Sequence, residues 1–211
     1  MELRVNDLLK INIDEDIIGD FHSSPWVYKA LEVAPYVVVR RAPIINNIVP
    51  VGIRGNNRSQ RQAAKVLFNN SIEIVTPEAL ATKKKWRTNK HLEETKMLKT
   101  LEKVESTLKN YNLVWGPTGS VGFELASGIE TVTCNSDLDI IIRAQNILPI
   151  NIAEEIIKQL SNLPINIDIQ LEIPKGSIAL AECTKNNIKI VLRTISGPKL
   201  MKNPLLEYLE E

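Results

Sequence analysis

The chain has 211 residues, with 44% hydrophobic and 24% charged side chains, 26 basic against 25 acidic, and a net charge of +1. This excludes a disordered chain, a collagen-like repeat and a disulfide scaffold, and it is too balanced for a protein that coats a polyanion. No apolar run approaches the roughly 18 residues needed to cross a bilayer, and the polar, acidic start MELRVNDLLKINIDED does not resemble a signal peptide. A cytoplasmic protein is expected, with no membrane and no nucleic acid among its partners. Cys134 and Cys183 suit free thiols in a reducing compartment, although a single disulfide stays possible on sequence alone.

Charge is unevenly spread. Residues 1–80 carry 9 basic and 9 acidic side chains, residues 81–115 carry 9 and 4, and residues 116–211 carry 8 and 12. The basic block includes Lys83, Lys84, Lys85, Arg87 and Lys90. A solvated helical face is its plain reading, and a docking surface for an acidic ligand or partner its sharper one.

In chain order, Tyr36 to Arg41 reads as a buried strand because it is β-branched. Pro43, Pro50, Gly52 and Gly55 then mark a turn-rich stretch. Residues 59–68 (SQRQAAKVLF) are expected to form a helix. Thr76-Pro77-Glu78 carries the signals of a helix start, and the boundary between an N-terminal domain, 1–79, and a C-terminal domain, 80–211, is placed beside it. Residues 92–111 predict a long helix, with Leu98, Leu101, Val104, Leu108 and Tyr111 forming one stripe. Leu113 to Trp115 predicts a short strand, Val121 to Ala126 a short helix and Leu138 to Ile142 a strand. A helix is expected over 151–161, with Ile152, Ile156, Ile157 and Leu160 on one side. Ile165 to Leu171 reads as a strand, Asn186-Asn187 as a turn and Ile188 to Leu192 as a final strand. The pattern is α/β with a mixed sheet.

The chemistry is concentrated in the second domain. Side chains alternate faces along a strand, so Asp137 and Asp139 in SDLDIII point one way while Leu138 and Ile140 point into the core. Asp168 is a lone acid in the alternating run INIDIQL. If the two strands are neighbours, three carboxylates converge. Two carboxylates about 5 Å apart repel by about 3 kcal/mol at an effective dielectric of about 20, which a divalent cation relieves. Hard oxygen ligands favour Mg²⁺ or Mn²⁺, and a pair of such ions suits displacement at phosphorus. Gly119-Ser120, between a strand and a helix, can offer backbone amides and a hydroxyl to a phosphate.

Gly-Ser, then Asp-x-Asp opening a strand, then a third carboxylate together resemble the nucleotidyltransferase superfamily with the polymerase-β-like palm. The 17 positions from Ser120 to Asp137 exceed the usual gap of that superfamily, and a loop from Ser127 to Asn135 is expected to absorb the excess.

A narrower resemblance removes that departure. Residues 115–143, WGPTGSVGFELASGIETVTCNSDLDIIIR, resemble the phosphoribosyl-dephospho-CoA transferase family of malonate decarboxylase. So do VVVRRAP at 37–43, VPVGIRGNNRSQRQAA at 49–64, IDIQLEIPKGSIALAE at 167–182 and VLRTISGPKL at 191–200. Residues 1–25, the segment 83–90 and the tail resemble it least.

The resemblance implies an α/β (α+β) fold, with a nucleotidyltransferase palm and mixed sheet in the C-terminal domain and a smaller N-terminal α/β domain for donor or carrier binding. It implies transfer of a phosphoribosyl-dephospho-CoA group from 2′-(5″-triphosphoribosyl)-3′-dephospho-CoA to a serine of the acyl carrier subunit of malonate decarboxylase, with release of diphosphate. Asp137, Asp139 and Asp168 are then the catalytic metal ligands for Mg²⁺ or Mn²⁺, two ions in all. Gly119 and Ser120 hold the diphosphate. Arg54, Arg58 and Arg61, in a Gly-rich loop running into a helix with Arg58 and Arg61 on one face, either bind donor or carrier or form a solvated loop with local ion pairs. Alternatives are another nucleotidyltransferase that uses ATP as donor for a different acceptor, and a nucleotide-binding module without catalysis.

Arg143 and Arg193 are set between phosphate contacts and ordinary ion pairs. Glu124 is a helix-surface acid or a support for the site. His22 has no metal-ligating companion, Cys134 is expected to be buried, and the three tryptophans show no nucleic-acid stacking pattern.

Overall fold

A computed structural model describes residues 2–19, 21, 24–57, 59–145, 147–185 and 188–206. The chain divides into two units, 1–76 with 123–131, and 77–122 with 132–211.

The first unit is built on a six-stranded antiparallel sheet. Its strands are β1 (Leu8–Lys10), β2 (Ile17–Ile18), β3 (Tyr36–Val39), β4 (Ile48–Arg54), β5 (Arg61–Leu67) and β6 (Glu73–Val75), in the order β2-β5-β4-β3-β1-β6. One helix, α1 (Trp26–Val33), buries Val27 and Leu31. They join Leu9, Val37, Val49, Val51, Ile53 and Val66 in one apolar cluster. Each such side chain contributes about 2 kcal/mol on burial. Two buried acids accept hydrogen bonds from neighbouring backbone and side-chain donors. Asp7 Oδ2 accepts from the Arg4 N–H at 2.8 Å, and Asp16 accepts from the Asn12 N–H and the Asn69 side chain at 2.7 Å each.

Two expectations fail in this unit. Residues 61–67 form a strand, not a helix, and all seven pair with β4, from Ile48↔Leu67 to Arg54↔Arg61. Gln, Ala and Lys favour helix only weakly, by tenths of a kcal/mol, and a seven-residue ladder overrides that. The turn-rich stretch is also largely strand. Pro50 and Gly52 lie inside β4, and the Pro50 carbonyl accepts from the Arg40 N–H at 2.9 Å.

The second unit opens with α2 (Pro77–Lys83), a helix that starts at the expected Pro77, followed by a 3₁₀ turn (Lys85–Thr88). The predicted long helix is two helices, α3 (Lys90–Glu94) and α4 (Met97–Lys109). Asn89 caps α3 by accepting from the Leu92 N–H at 3.0 Å. Thr95 Oγ1 bonds back to the His91 carbonyl at 3.1 Å, and Lys96 turns left-handed at φ +63°. Such back-bonding competes with the helix ladder. The restart buries Met97, Leu101, Val104 and Leu108, while Leu98 is only half-buried and Tyr111 lies beyond the helix.

Next come β7 (Val114–Pro117), α5 (Gly119–Ser127), β8 (Leu138–Arg143), α6 (Ile150–Leu160), β9 (Ile167–Ile173), β10 (Gly176–Ala179), α7 (Leu180–Cys183), β11 (Lys189–Thr194) and β12 (Gly197–Lys202). Strands β10 and β12 and helix α7 were not anticipated. Helix α6 buries Ile150, Ala153, Ile156 and Leu160, so Ile152 and Ile157 stand beside its buried stripe rather than in it. The turn expected at Asn186-Asn187 lies outside the described residues.

The strand order is β12-β11-β10-β9-β8-β7, antiparallel throughout except for the parallel pair β8–β9. The sheet is therefore mixed, as expected. One face carries Leu138, Ile140, Ile142, Ile169, Leu171, Ile178, Ile190 and Leu192, all buried. The opposite face is polar and partly open. At its β7 end α2 approaches closely. A Cβ on Gly116 would fall 2.0 Å from the Pro77 carbonyl carbon, so only glycine fits.

The basic block is partly neutralised by α4. Lys84 pairs with Glu105, and Arg87 reaches Glu105 at 3.2 Å and Glu102 at 3.6 Å. Lys83, Lys85 and Lys90 are exposed. Trp86 is fully buried and its ring meets that of Trp115 at 6.2 Å between centroids, so both serve the core. Among the described residues no helix is long and apolar enough to cross a membrane.

Candidate active site

The polar face of the second sheet holds the acids. Strands β8 and β9 run parallel with Asp139 opposite Asp168, Ile141 opposite Gln170 and Arg143 opposite Glu172. Paired residues of neighbouring strands project to the same side, with backbones about 4.8 Å apart. Asp139 and Asp168 are therefore side by side. Asp137 precedes β8 by one residue and is half-exposed like Asp139, while Asp168 is exposed. All three stand at the end where β8 and β9 begin.

Gly119 and Ser120 open α5, immediately after β7. Gly119 adopts φ +59°, and a Cβ there would lie 2.0 Å from Asp139 Oδ2. The Asp139 backbone is tied to the same turn, since its carbonyl accepts from the Thr118 N–H at 2.8 Å. The Asp139 carboxylate thus sits against the first turn of α5, the positive end of its dipole. The second unit brings together Gly119, Asp139 and Asp168, with Ser120 and Asp137 adjacent in sequence.

The long interval to β8 is a loop over 128–137. Its far end is shaped by the Thr133 N–H donating to Ser136 Oγ at 2.9 Å. Glu124 is not a surface acid. It is buried, and its Oε2 accepts from the Thr131 N–H at 2.8 Å, fixing the chain that leaves α5. Cys134 is exposed, contrary to expectation, because it lies in this loop and no element covers it. Cys183 is buried and free, and burial with the nearby Glu182 charge pushes its thiol up to about 12.

The arginine loop also differs from expectation. Arg54 ends β4 and Arg61 begins β5, directly opposite each other, so Arg61 is on a strand and shares no helical face with Arg58. Arg58 lies outside the described residues, as does His22. The intervening turn is closed by Asn57 Oδ1, which accepts from Ser59 Oγ at 2.7 Å and from the Gln60 N–H at 3.1 Å. Like charges directly opposite on a sheet destabilise it. The Arg54 guanidinium lies 5.2 Å from the centroid of the Phe123 ring, a cation–π contact within the first unit.

Arg143 takes the second of its two expected roles, an ion pair. Arg143 Nε donates to Glu78 Oε1 at 2.8 Å, with the side chains only 8% and 16% exposed, so Arg143 secures α2 to β8. Gln170 and Glu172 extend the Asp168 face, which the alternation of IDIQLE already implied.

All the donors here are hard carboxylate oxygens, the set that suits Mg²⁺ or Mn²⁺. Among the described residues no three His, Cys, Asp or Glu side chains stand close enough together to hold a metal by themselves. Asp139 and Asp168 could therefore hold such an ion only with water or substrate oxygens completing its shell.

Comparison with known proteins places both parts of the chain in one family. Residues 4–77 match the family described as phosphoribosyl-dephospho-CoA transferase MdcG N-terminal domain, and residues 73–204 match the corresponding C-terminal domain. Proteins named phosphoribosyl-dephospho-CoA transferase are similar over most of their length. That of Pseudomonas syringae pv. tomato is 35% identical over 85% of this chain and 83% of its own. The Pseudomonas fluorescens Pf-5 protein is 34% identical over 94% and 92%, and the Klebsiella pneumoniae 342 protein 33% over 86% and 87%. No solved structure matches. The chain is a transferase by these likenesses, and it belongs to the phosphoribosyl-dephospho-CoA transferase family.

Proposed function

We propose that the protein moves a phosphoribosyl-dephospho-CoA group from 2′-(5″-triphosphoribosyl)-3′-dephospho-CoA to a serine of the acyl carrier subunit of malonate decarboxylase, on a nucleotidyltransferase palm. The observation that carries the reading is the parallel register of Asp139 and Asp168, with the Asp139 carboxylate held against Gly119.

In this reading a bond forms between the serine Oγ and the phosphorus nearest the ribose, and the bond from that phosphorus to the bridging oxygen breaks. Diphosphate leaves. Asp168, the most exposed of the three acids, takes the serine proton on a carboxylate oxygen. Asp139 and Asp137 flank the reacting phosphorus. The amides at the start of α5, with the Ser120 hydroxyl, receive the leaving diphosphate.

A carboxylate and a diphosphate at one helix start repel, by about 3 kcal/mol at 5 Å and an effective dielectric of about 20. A divalent cation held by Asp139 and Asp168, with water or phosphoryl oxygens completing its shell, would neutralise that charge and polarise the phosphoryl oxygens. The two opposed arginines, Arg54 and Arg61, supply cationic forks suited to donor phosphates or to an acidic carrier.

The test is an intact-mass measurement on the apo carrier after incubation with the donor and Mg²⁺. A gain equal to phosphoribosyl-dephospho-CoA, abolished by EDTA, is expected. An unchanged carrier, alongside a working relative, would overturn the acceptor assignment, and transfer from ATP in its place would overturn the donor.

A further inference from the structure

The outer hairpin of the second sheet has a composition unlike the rest of its half of the chain. Residues 189–202 hold four basic side chains, Lys189, Arg193, Lys199 and Lys202, and no acidic one, although residues 116–211 as a whole are net negative. None of the four forms an ion pair with a described residue.

Strand register divides this hairpin cleanly. The pairs Lys189↔Lys202, Val191↔Leu200 and Arg193↔Pro198 share one face, and Ile190 and Leu192 point to the buried one. On the outward face two apolar side chains stand in the open, Val191 at 37% and Leu200 at 67% exposure, with cations on both sides. An exposed apolar centre with a single-sign rim is the anatomy of a protein-docking surface.

The same face leads to the acids. Arg193 is opposite Ser177, Ser177 is opposite Glu172, and Glu172 is on the Asp168 side of β9. Strand β11 lies two strand spacings from β9, about 10 Å, which is the diameter of one docked helix. A partner seated on the hairpin can therefore present a side chain to Asp168 without spanning more than its own width.

We infer that the outward face of β11 and β12 docks the protein that supplies the acceptor serine, and that the partner surface flanking this serine is acidic with an apolar residue at its middle. This rests on the function proposed above. The donor's phosphates would be served by the cations, but they give no use to Val191 and Leu200, which favours a protein as the occupant.

The test compares three full-length proteins with the apo carrier subunit of malonate decarboxylase, the donor and Mg²⁺. One is the wild type. The second is K189E/R193E/K202E. The third is a charge-matched control, K83E/K85E/K90E, on exposed lysines of α2, the 3₁₀ turn and α3. Leu200→Ser, at an exposed position, repeats the test without altering charge.

The hairpin variant is expected to raise KM for the carrier about tenfold or more and to flatten its salt dependence, with kcat and donor KM kept within about twofold. Diphosphate release to water without carrier is expected to be unchanged, which shows that the fold and donor side are intact. Leu200→Ser should raise carrier KM alone. The inference is overturned if carrier KM stays within about twofold, if donor KM rises in its place, or if the control moves carrier KM as much as the hairpin variant. Failure of the wild type to modify any carrier would instead overturn the proposed function, and the docking role with it.

Discussion

Asp139 Oδ2 lies 2.0 Å from the point where any side chain at Gly119 would place its Cβ. The carboxylate and the start of α5 are thus built around each other. Gly119→Ala should force both apart. It also places a Cβ at φ +59°, which costs about 1–2 kcal/mol. Urea unfolding is expected to show a loss of that size. Transfer is expected to fall far more, by about a hundredfold, since misplacement by an ångström can have that effect. A stable, fully active variant would remove Asp139 from the reaction.

Asp139→Asn and Asp168→Asn are expected to suppress transfer while leaving the fold intact. Asp168 is exposed, so its loss should change stability by less than about 0.5 kcal/mol. Circular dichroism and carrier mass spectrometry on the same samples separate the two effects. Turnover near wild type in either variant would contradict its assigned role.

The Arg143–Glu78 pair is nearly closed to solvent. Removing one partner breaks a nearly buried ion pair, so Arg143→Ala should cost about 3 kcal/mol or more. Replacing both, Arg143→Met with Glu78→Gln, should recover most of that. A double-mutant cycle by chemical denaturation measures it, and additive losses would show that the ion pair is uncoupled.

The two thiols should differ sharply. Cys134 is exposed and should react at once with a thiol reagent, while Cys183 should react only on unfolding. Because burial raises the folded Cys183 thiol from 9.0 to about 12, the native state keeps a proton that the unfolded chain releases. Its contribution is complete below pH 9 and is lost as pH rises towards 12. The stability difference between wild type and Cys183→Ala should therefore shrink over that range, and a pH-independent difference would refute the shift.

Arg54 and Arg61 face each other across β4 and β5. If they serve an anion, Arg61→Gln should raise KM for donor or carrier while adding a few tenths of a kcal/mol to stability, since the like-charge pair is relieved. Lower stability with unchanged KM would mark them as structural.

Some of this could be read directly from the residues. The helix start at Pro77, the α5 helix after Gly-Ser and the β8 strand followed from proline placement and from apolar alternation, which are local properties. Even the projection of Asp139 away from Leu138 and Ile140 is a consequence of a two-residue period. Strand β5 was not legible, because RQAAKVL has no period-two apolar pattern and is a strand only through its ladder with β4. The break at Lys96 hid within a continuous helical stripe, which two helices share almost as well as one.

Sequence alone proposed the residues of the candidate site, since strand periodicity sets the shared face of Asp137 and Asp139 and the family resemblance singles them out together with Gly119, Ser120 and Asp168. Their neighbourhood was decided by tertiary structure alone. That Asp139 pairs with Asp168 depends on parallel register between strands separated by α6, that its carboxylate rests on Gly119 depends on the β7–β8 pairing, and that Arg143 closes on Glu78 depends on where α2 packs; no local pattern specifies contacts across such distances.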